Sequence, residues 1–370
     1  MKLLLLAAVL ALPGIARAAD LAQPPAAPTV QGVWRGAIGA LPVQVCLTQG
    51  RESDGFGNYY YLSQLKSIHL YRLDDGDWRE DDPKIDARLT FKQDSVNQLS
   101  GTWHRGAKSL PLKLARVAIA AADDKDRPCG AREFIAPRIT PFKLVAKPAR
   151  RGSFAYTALH YDIGRGFDGV ELDSFAFAPS KPGDPAINAA LKLDPYRADG
   201  PADYLGCISS ALASNGRDGS FEVGNEPFAI APSFLTVKCS EGDDCGGAHP
   251  NNGYAWTSYD RRSGKVIALG SWFAGFAASE HNDGTGESGI PIALRKLIVT
   301  RMTFGDKECG DVVGDADYWS LGLTARGMIF SPSLPHVAQA CVDDAVVPYA
   351  LLRRFLSPTG KAGVARALGH

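Results

Sequence analysis

Between Val30 and Arg116, apolar and polar residues alternate in short runs broken by Gly, Asp and Asn. That period of two predicts a small antiparallel β structure. In LPVQVCLT, Leu41, Val43, Val45 and Leu47 face one way and Gln44, Cys46 and Thr48 the other, so Cys46 lies off the core stripe. Further strands are KSIHLYRL, with Ile68 and Leu70 inward and His69 on the outer surface, and KIDARLTF, with Ile85, Leu89 and Phe91 on one face. NQLSGTW and SLPLKL complete the set. The carboxylates Asp74, Asp75, Asp77, Glu80, Asp81 and Asp82 read as a solvated hairpin tip.

From Arg138 the periodicity becomes mixed. VELDSFAF reads as a strand, and PGDPAINAALKL as a helix with Asp184 as cap, Pro185 in the first turn, and Ile187 and Leu191 on one face. PADYLGCISSALASNG predicts a helix whose buried face carries Tyr204, Cys207, Ile208, Ala211 and Leu212, stopped at Asn215-Gly216. FLTVKC is a strand leading into CGGAHPNNGYAWTSYDRRSGK, and GKVIALGSW is a strand leaving it. IPIALRKLIVTRM is a helix burying Ile290, Leu294, Leu297 and Ile298. AVVPYALLRRFLSP is a short strand and a helix burying Leu351, Leu352 and Phe355, stopped by Pro358. The fold class is α+β: an N-terminal small antiparallel β domain, then an α+β domain with an antiparallel sheet and a few helices.

The first residues change the picture of where this chain works. Lys2, the apolar run Leu3 to Leu12 and Ala16-Arg17-Ala18 form a secretory signal, cleaved near Ala18, with an apolar run too short for a permanent span. The expected organisation is a signal peptide over 1–18, a Pro/Ala-rich leader over 19–29, the β domain over 30–116, a linker over 117–137 and the α+β domain over 138–370. The expected location is the periplasm, without a membrane anchor. Taking Lys2 and Arg17 from 40 basic residues leaves 38 against 40 acidic, a net of −2. With no long basic run, nucleic acid and anionic membrane surfaces are poor partners.

All seven cysteines follow the signal, where an oxidising compartment favours disulfides with one thiol left over. Spacing does not dictate the pairing. Neighbourhood favours Cys46 with Cys129, Cys239 with Cys245, and Cys309 with Cys341, leaving Cys207 as a free, buried and inert thiol.

Val33-Trp34-Arg35-Gly36-Ala37-Ile38-Gly39, Leu41-Pro42-Val43, Tyr59-Tyr60-Tyr61, Ser100-Gly101-Thr102-Trp103 and Leu110-Pro111-Leu112 together resemble a small β-barrel-like domain of bacterial exported proteins. Ala186-Ile187-Asn188, Gly246-Gly247-Ala248-His249-Pro250, Tyr259-Asp260 with Ser263-Gly264-Lys265, and Val347-Pro348-Tyr349 with Leu352 and Leu356 resemble the RsiV/PdaC-like extracytoplasmic domain pair. That resemblance covers most of residues 138 to 360. It implies an exported binding module whose partner is a muramidase or other wall hydrolase. The chain departs from it by having no sigma-binding segment, an extra β domain and more cysteines.

Candidate chemistry is sparse. Cys239, Asp243, Asp244, Cys245 and His249 superficially suit a metal, but an exported cysteine pair oxidises and the sequence places no second histidine nearby. A structural His249 in a Gly-Gly turn is the preferred reading, ahead of a partner contact and of catalysis. No Gly-x-Ser-x-Gly and no phosphate loop is present. Partner-binding candidates are therefore His249, Asn251, Asn252 and Tyr254 after the Gly-Gly turn, and Glu280, His281, Asp283 and Glu287 in the glycine-rich loop Ala278 to Gly289. No cofactor, no metal and no catalytic residue is assigned. The expected function is non-enzymatic protein binding, as an inhibitor or immunity protein against a lysozyme-like peptidoglycan hydrolase. The alternatives are a cell-wall-modifying or carbohydrate-active enzyme with paired carboxylates, and a saccharide-binding module with Tyr59, Tyr60 and Trp78 as its platform.

Overall fold

A computed structural model describes residues 30–49, 55–82, 84–274, 287–288, 290–304 and 307–369, so the expected signal and leader lie outside the described residues. The period-two runs become β1 (Gly32–Ile38), β2 (Leu41–Leu47), β3 (Phe56–Tyr61), β4 (Ile68–Arg72), β5 (Trp78–Glu80), β6 (Ala87–Ser95), β7 (Gln98–Arg105) and β8 (Lys108–Val117). They pair antiparallel in chain order and close into a barrel, β8 returning to β1 with Val33 opposite Val117. Closure removes the exposed edges a flat sheet would have. Trp34, Val43, Val45, Leu70, Leu89 and Leu112 fill the interior, as an eight-stranded barrel allows. Gly36 sits where β1 crosses β8, and a side chain there would stand 2.9 Å from Leu114 Cα. Leu41 departs from its expected stripe and is half exposed at the strand's start.

Three expectations for this domain change once burial is known. Glu80 is not at a solvated tip: it lies inside the barrel, where Tyr59 Oη donates to Oε1 at 2.5 Å and Trp103 Nε1 donates to it at 2.7 Å. Burial, reinforced by that carboxylate, drives the Tyr59 phenol far above its ordinary pKa. Tyr59, Tyr60 and Trp78 are all buried, so they form no sugar platform. Finally, the outer faces of β2 and β3 are covered: Gln44, Cys46, Asn58 and Tyr60 are fully buried, which makes these strands two-sided rather than half-solvated.

What covers them is the segment expected to be a linker. Its charged run Lys125–Arg127 is exposed, but from Pro128 the chain turns inward through α1 (Arg132–Ile135), with Cys129, Phe134 and Ile135 buried. Cys46 is bonded to Cys129, Tyr60 Oη donates to Phe134 O at 2.6 Å, and Gln44 Nε2 donates to Glu133 O at 2.5 Å. Arg138 completes the join. Fully buried, it donates to both carboxylate oxygens of Asp218, at 2.7 and 2.5 Å, to Leu65 O at 3.1 Å and to Gly166 O. Its guanidinium lies 4.6 Å from the Phe167 ring centre and 5.5 Å from that of Tyr60, so one side chain ties the barrel to the second domain.

The second domain has two sheets. The larger comprises β9 (Lys143–Arg151), β10 (Phe154–Asp162), β11 (Val170–Ala176), β12 (Ser220–Ile230), β13 (Phe234–Asp244) and β14 (Asn251–Asp260), in the order β14-β13-β12-β11-β10-β9. Its pairs are antiparallel except β11 with β12, which run parallel because α2 (Asp184–Leu191) and α3 (Tyr204–Asn215) lie between them in sequence. The smaller comprises β15 (Glu287–Ser288), β16 (Tyr318–Leu323), β17 (Gly327–Ser333) and β18 (Ala345–Pro348), all antiparallel. Around it pack α4 (Ile292–Val299), α5 (Lys307–Gly314), α6 (Tyr349–Leu352) and α7 (Pro358–Ala367). The described elements are thus α+β, with antiparallel sheets and a few helices.

Helix α3 forms as its sequence dictates: Asp203 accepts from Gly206 N at 3.2 Å, Gly216 takes φ +72°, and its five apolar-face residues are buried. Elsewhere local signals were overridden. GKVIALGSW contributes one bridge, Val266 to Tyr259, and a 3-10 turn at Leu269–Trp272 in place of a strand. Pro358 starts a helix: Ser357 accepts from Gly360 N at 3.1 Å, the capped arrangement in which proline's missing N–H costs nothing. Leu351 is exposed, whereas Leu352 is buried. Among the described residues, no helix is long and apolar enough to cross a membrane.

His69, expected on the surface, is mostly buried between the domains, its Nε2 donating to Asn215 O at 3.0 Å. Asp81 lies 3.6 Å from Nδ1, too long for a hydrogen bond, and is engaged by Arg217. Burial first, and the Arg217 charge second, depress the His69 pKa below its ordinary value. The unfolded chain therefore takes up this proton at a higher pH than the folded one. The stabilising contribution is full above about pH 6.5 and is lost as pH falls through the lower folded value. Denaturant melts between pH 7 and pH 5 should show wild type losing more stability than His69→Gln; equal slopes would remove His69 as the cause.

Candidate functional site

The stretch CGGAHPNNGYAWTSYDRRSGK occupies the turn between β13 and β14, all of β14 and the turn that follows. Cys245 is bonded to Cys207 on α3, and Cys309 to Cys341. This corrects the expected Cys239–Cys245 bridge and the free Cys207. The reason is strand geometry: Cys239 lies mid-strand in β13, and Cys245 follows six positions later along extended chain, about 18–20 Å away and far beyond disulfide reach. Cys245, just past the strand's end, faces α3 instead. Cys239 is the free thiol, half buried, its Sγ 3.7 Å from Thr257 Oγ1, and burial pushes its pKa up. A thiol titration should find one free cysteine per chain once unfolded, slow to react when folded, and none in Cys239→Ala. Two or more would contradict the pairing.

The Gly-Gly-Ala-His-Pro turn owes its shape to Gly246, at φ +82°. His249 does meet a second histidine, one the sequence places 87 positions away: His336 stacks on it with ring centres 4.3 Å apart and planes 8° off parallel. Stacked rings send their in-plane lone pairs out side by side instead of onto one point, so this pair is no ready chelate. Cys207, Asp243 and Cys245 also cluster, but the two sulfurs are spent on each other. After β14, Asp260 Oδ1 accepts from Arg262 N at 2.7 Å and from Ser263 N at 3.3 Å, and Gly264, at φ +74°, donates to Asp260 O at 2.7 Å. Arg261 within this turn is buried against Asp184: Nε to Oδ1 at 2.9 Å and Nη2 to Oδ2 at 2.7 Å. Asp184 is therefore not a helix cap. It is the first residue of α2, and its carboxylate turns back to Arg261 and to the N–H groups of Ser180 and Lys181.

Beside this stretch lies a cleft of about 520 Å³. Val223, Asn225, Cys239, Glu241, Gly253 and Thr257 from β12, β13 and β14 line one side; Lys192, Asp194 and Arg197 come from the chain between α2 and α3; Pro332, Leu334 and Gln339 close the far wall. Asn252 and Tyr254, both expected partner contacts, line it. Tyr254 Oη donates to Asp344 Oδ1 at 3.2 Å, Trp256 Nε1 donates to the same oxygen at 3.1 Å, and the Lys238 ammonium stands 4.1 Å from the Tyr254 ring centre. Burial raises the Tyr254 phenol, and pushes that of Tyr259 up to about 12, so both act as neutral hydrogen-bonding groups near pH 7. His249 and Asn251 do not line the cleft; Asn251 Nδ2 donates to Asp243 Oδ1 at 3.3 Å. Glu280, His281 and Asp283 fall outside the described residues, as does the Glu287 side chain. Asn225, Asp194, Arg197 and Gln339 were not anticipated, since nothing local marks residues that meet only across the folded domain.

A closed barrel joined to a two-sheet α+β domain with a polar cleft is the class these features define. No family model matches the chain, and no curated protein matches it. Two solved structures of DUF3298 family proteins are similar to it. One, from Pseudomonas aeruginosa PAO1, is 14% identical with a TM-score of 0.33, over 59% of this chain and 94% of its own. The other, from Bacteroides fragilis NCTC 9343, is 12% identical with a TM-score of 0.35, over 60% and 94%. Likeness at that level leaves the functional reading to this chain's own residues.

Proposed function

We propose that this chain is an exported, non-enzymatic module that binds a protein partner, in the concrete form of an inhibitor or immunity protein against a lysozyme-like peptidoglycan hydrolase. One observation carries the reading: the cleft sets amides, hydroxyls, neutral phenols and strand backbone among charges of both signs, Lys192 and Arg197 with Asp194 and Glu241, the mixed polar lining of a recognition surface. Three disulfides are in keeping with an oxidising, extracytoplasmic compartment, where wall hydrolases work. The motif resemblance to the RsiV/PdaC-like domain pair supports the partner class.

The test is co-elution of the purified chain with a panel of muramidases, together with their lytic rates on cell walls. A stable complex with slowed lysis is expected; no complex and unchanged rates across the panel would sink the proposal. One observation favours a second reading, a carbohydrate-active enzyme, because Asp194 and Glu241 both line the cleft. That reading requires the chain alone to release reducing ends from peptidoglycan, and Asp194→Asn with Glu241→Gln to abolish the release.

A further inference from the structure

Strand β14 is the terminal strand of the six-stranded sheet, and among the described residues only the C-terminal half of its outer edge has hydrogen-bond partners. At its C-terminal half, Trp256 N donates to Ser320 Oγ at 2.6 Å, Ser258 O accepts from Ile267 N at 2.8 Å, and Asp260 N donates to Lys265 O at 2.9 Å. Residues 256, 258 and 260 thus turn their main-chain groups outward, while the alternate residues 253, 255, 257 and 259 pair inward with β13. By the same period of two, the N–H and C=O groups of Asn252 and Tyr254 face outward, and among the described residues nothing takes them up. Asn252 and Tyr254 also line the cleft, as do Pro332 and Leu334.

From this edge we infer that Asn251–Ala255 is a docking site for an extended segment of a protein partner, which adds to the sheet as a further strand. The inference rests on the binding-module reading and says how the partner is held. Only a polypeptide presents N–H and C=O groups at the spacing this edge demands, and five residues of strand measure about 17 Å. Native sheets blunt exposed edges with proline, lysine or a bulge. Residues 251–255 carry none of the first two, and pair with β13 without a shift of register. Charge narrows the occupant further. Asp344 stands 3.2 Å from Tyr254 Oη with Asp343 next to it in sequence, two carboxylates against the one Lys238 ammonium 4.1 Å from the Tyr254 ring, so a lysine or arginine is favoured where the incoming strand passes Tyr254.

The experiment is selection of a random dodecapeptide display library on the intact protein, with the winners re-tested on variants. Proline at Asn252 removes an outward N–H and leaves the bonds to β13 intact. The selected peptides should carry a basic residue, and their affinity should fall at least tenfold on Asn252→Pro while staying within about threefold on Asn252→Ala. Near-ultraviolet circular dichroism must show both variants folded. As a readout independent of mutation, amide exchange at Asn252 and Tyr254 should be fast in the free protein and slowed by bound peptide. Equal binding to Asn252→Pro, no slowing of those amides, or no selected peptides would overturn the inference. A muramidase that still binds Asn252→Pro undiminished would overturn strand addition alone and leave the binding-module reading standing. Loss of every partner and peptide on wild type would remove both.

Discussion

Arg138→Met lowers the unfolding free energy by about 3–5 kcal/mol, the range for breaking a buried, hydrogen-bonded ion pair by removing one partner. The methionine keeps most of the stem's packing but strands the Asp218 carboxylate and the carbonyls of Leu65 and Gly166, which the guanidinium now serves. Because Leu65 and Tyr60 belong to the barrel side and Asp218, Gly166 and Phe167 to the second domain, the loss falls on the joint. Urea unfolding followed by tryptophan fluorescence should show an earlier transition that splits in two as the domains part. A loss under 1 kcal/mol with a single sharp transition would show that the disulfide and the packing of Phe134 hold the joint without the arginine. Asp218→Asn, which removes the charge but keeps an acceptor, should fall between.

The second large effect concerns Asp184 and Arg261. Burial alone would raise the Asp184 carboxyl, but the Arg261 guanidinium and the Ser180 and Lys181 N–H groups outweigh it and hold the pKa below the ordinary carboxylate value. The folded pKa being the lower one, the pair stabilises fully above about pH 4, and its contribution is lost as pH falls through the folded value. Asp184→Asn should cost about 3–5 kcal/mol near pH 7 by leaving Arg261 buried and unpaired. The difference from wild type should shrink as acid protonates Asp184. A difference that stays constant down to pH 2 would mean that the carboxylate charge is not what holds the turn. The damage should be felt locally too, since Gly183 N donates to Arg261 O at 2.8 Å and couples the start of α2 to the turn after β14.

Much of the fold was legible because local signals and tertiary demands agree. The barrel strands show period two, and α3 shows a cap, an apolar face and a glycine stop, all satisfied in place. Legibility failed where a residue's environment comes from elsewhere in the chain. Glu80 sits in an acidic run yet points into the barrel, His69 alternates outward yet meets Asn215, and Arg138 carries no local mark beyond opening the second domain. In the same way His336 reaches His249 only through the packing of the smaller sheet's flank. Of the cleft, Asn252 and Tyr254 were readable from the glycine-rich turn before them, but the opposite wall was not, because Pro332 and Gln339 carry no pattern of their own.

The cysteine pairing has a consequence for how the chain matures. Cys207 is joined to Cys245 although Cys239 precedes Cys245 in sequence, so a chain oxidised in the order its thiols emerge would first meet the wrong partner. The native bond then requires the Cys207–Cys239 link to be attacked by the Cys245 thiolate, with Cys239 as leaving group. The odd thiol is thus a competitor built into the molecule. Its partial burial in β13, beside Thr257, raises its pKa and so leaves less thiolate to reverse the exchange once the sheet has formed.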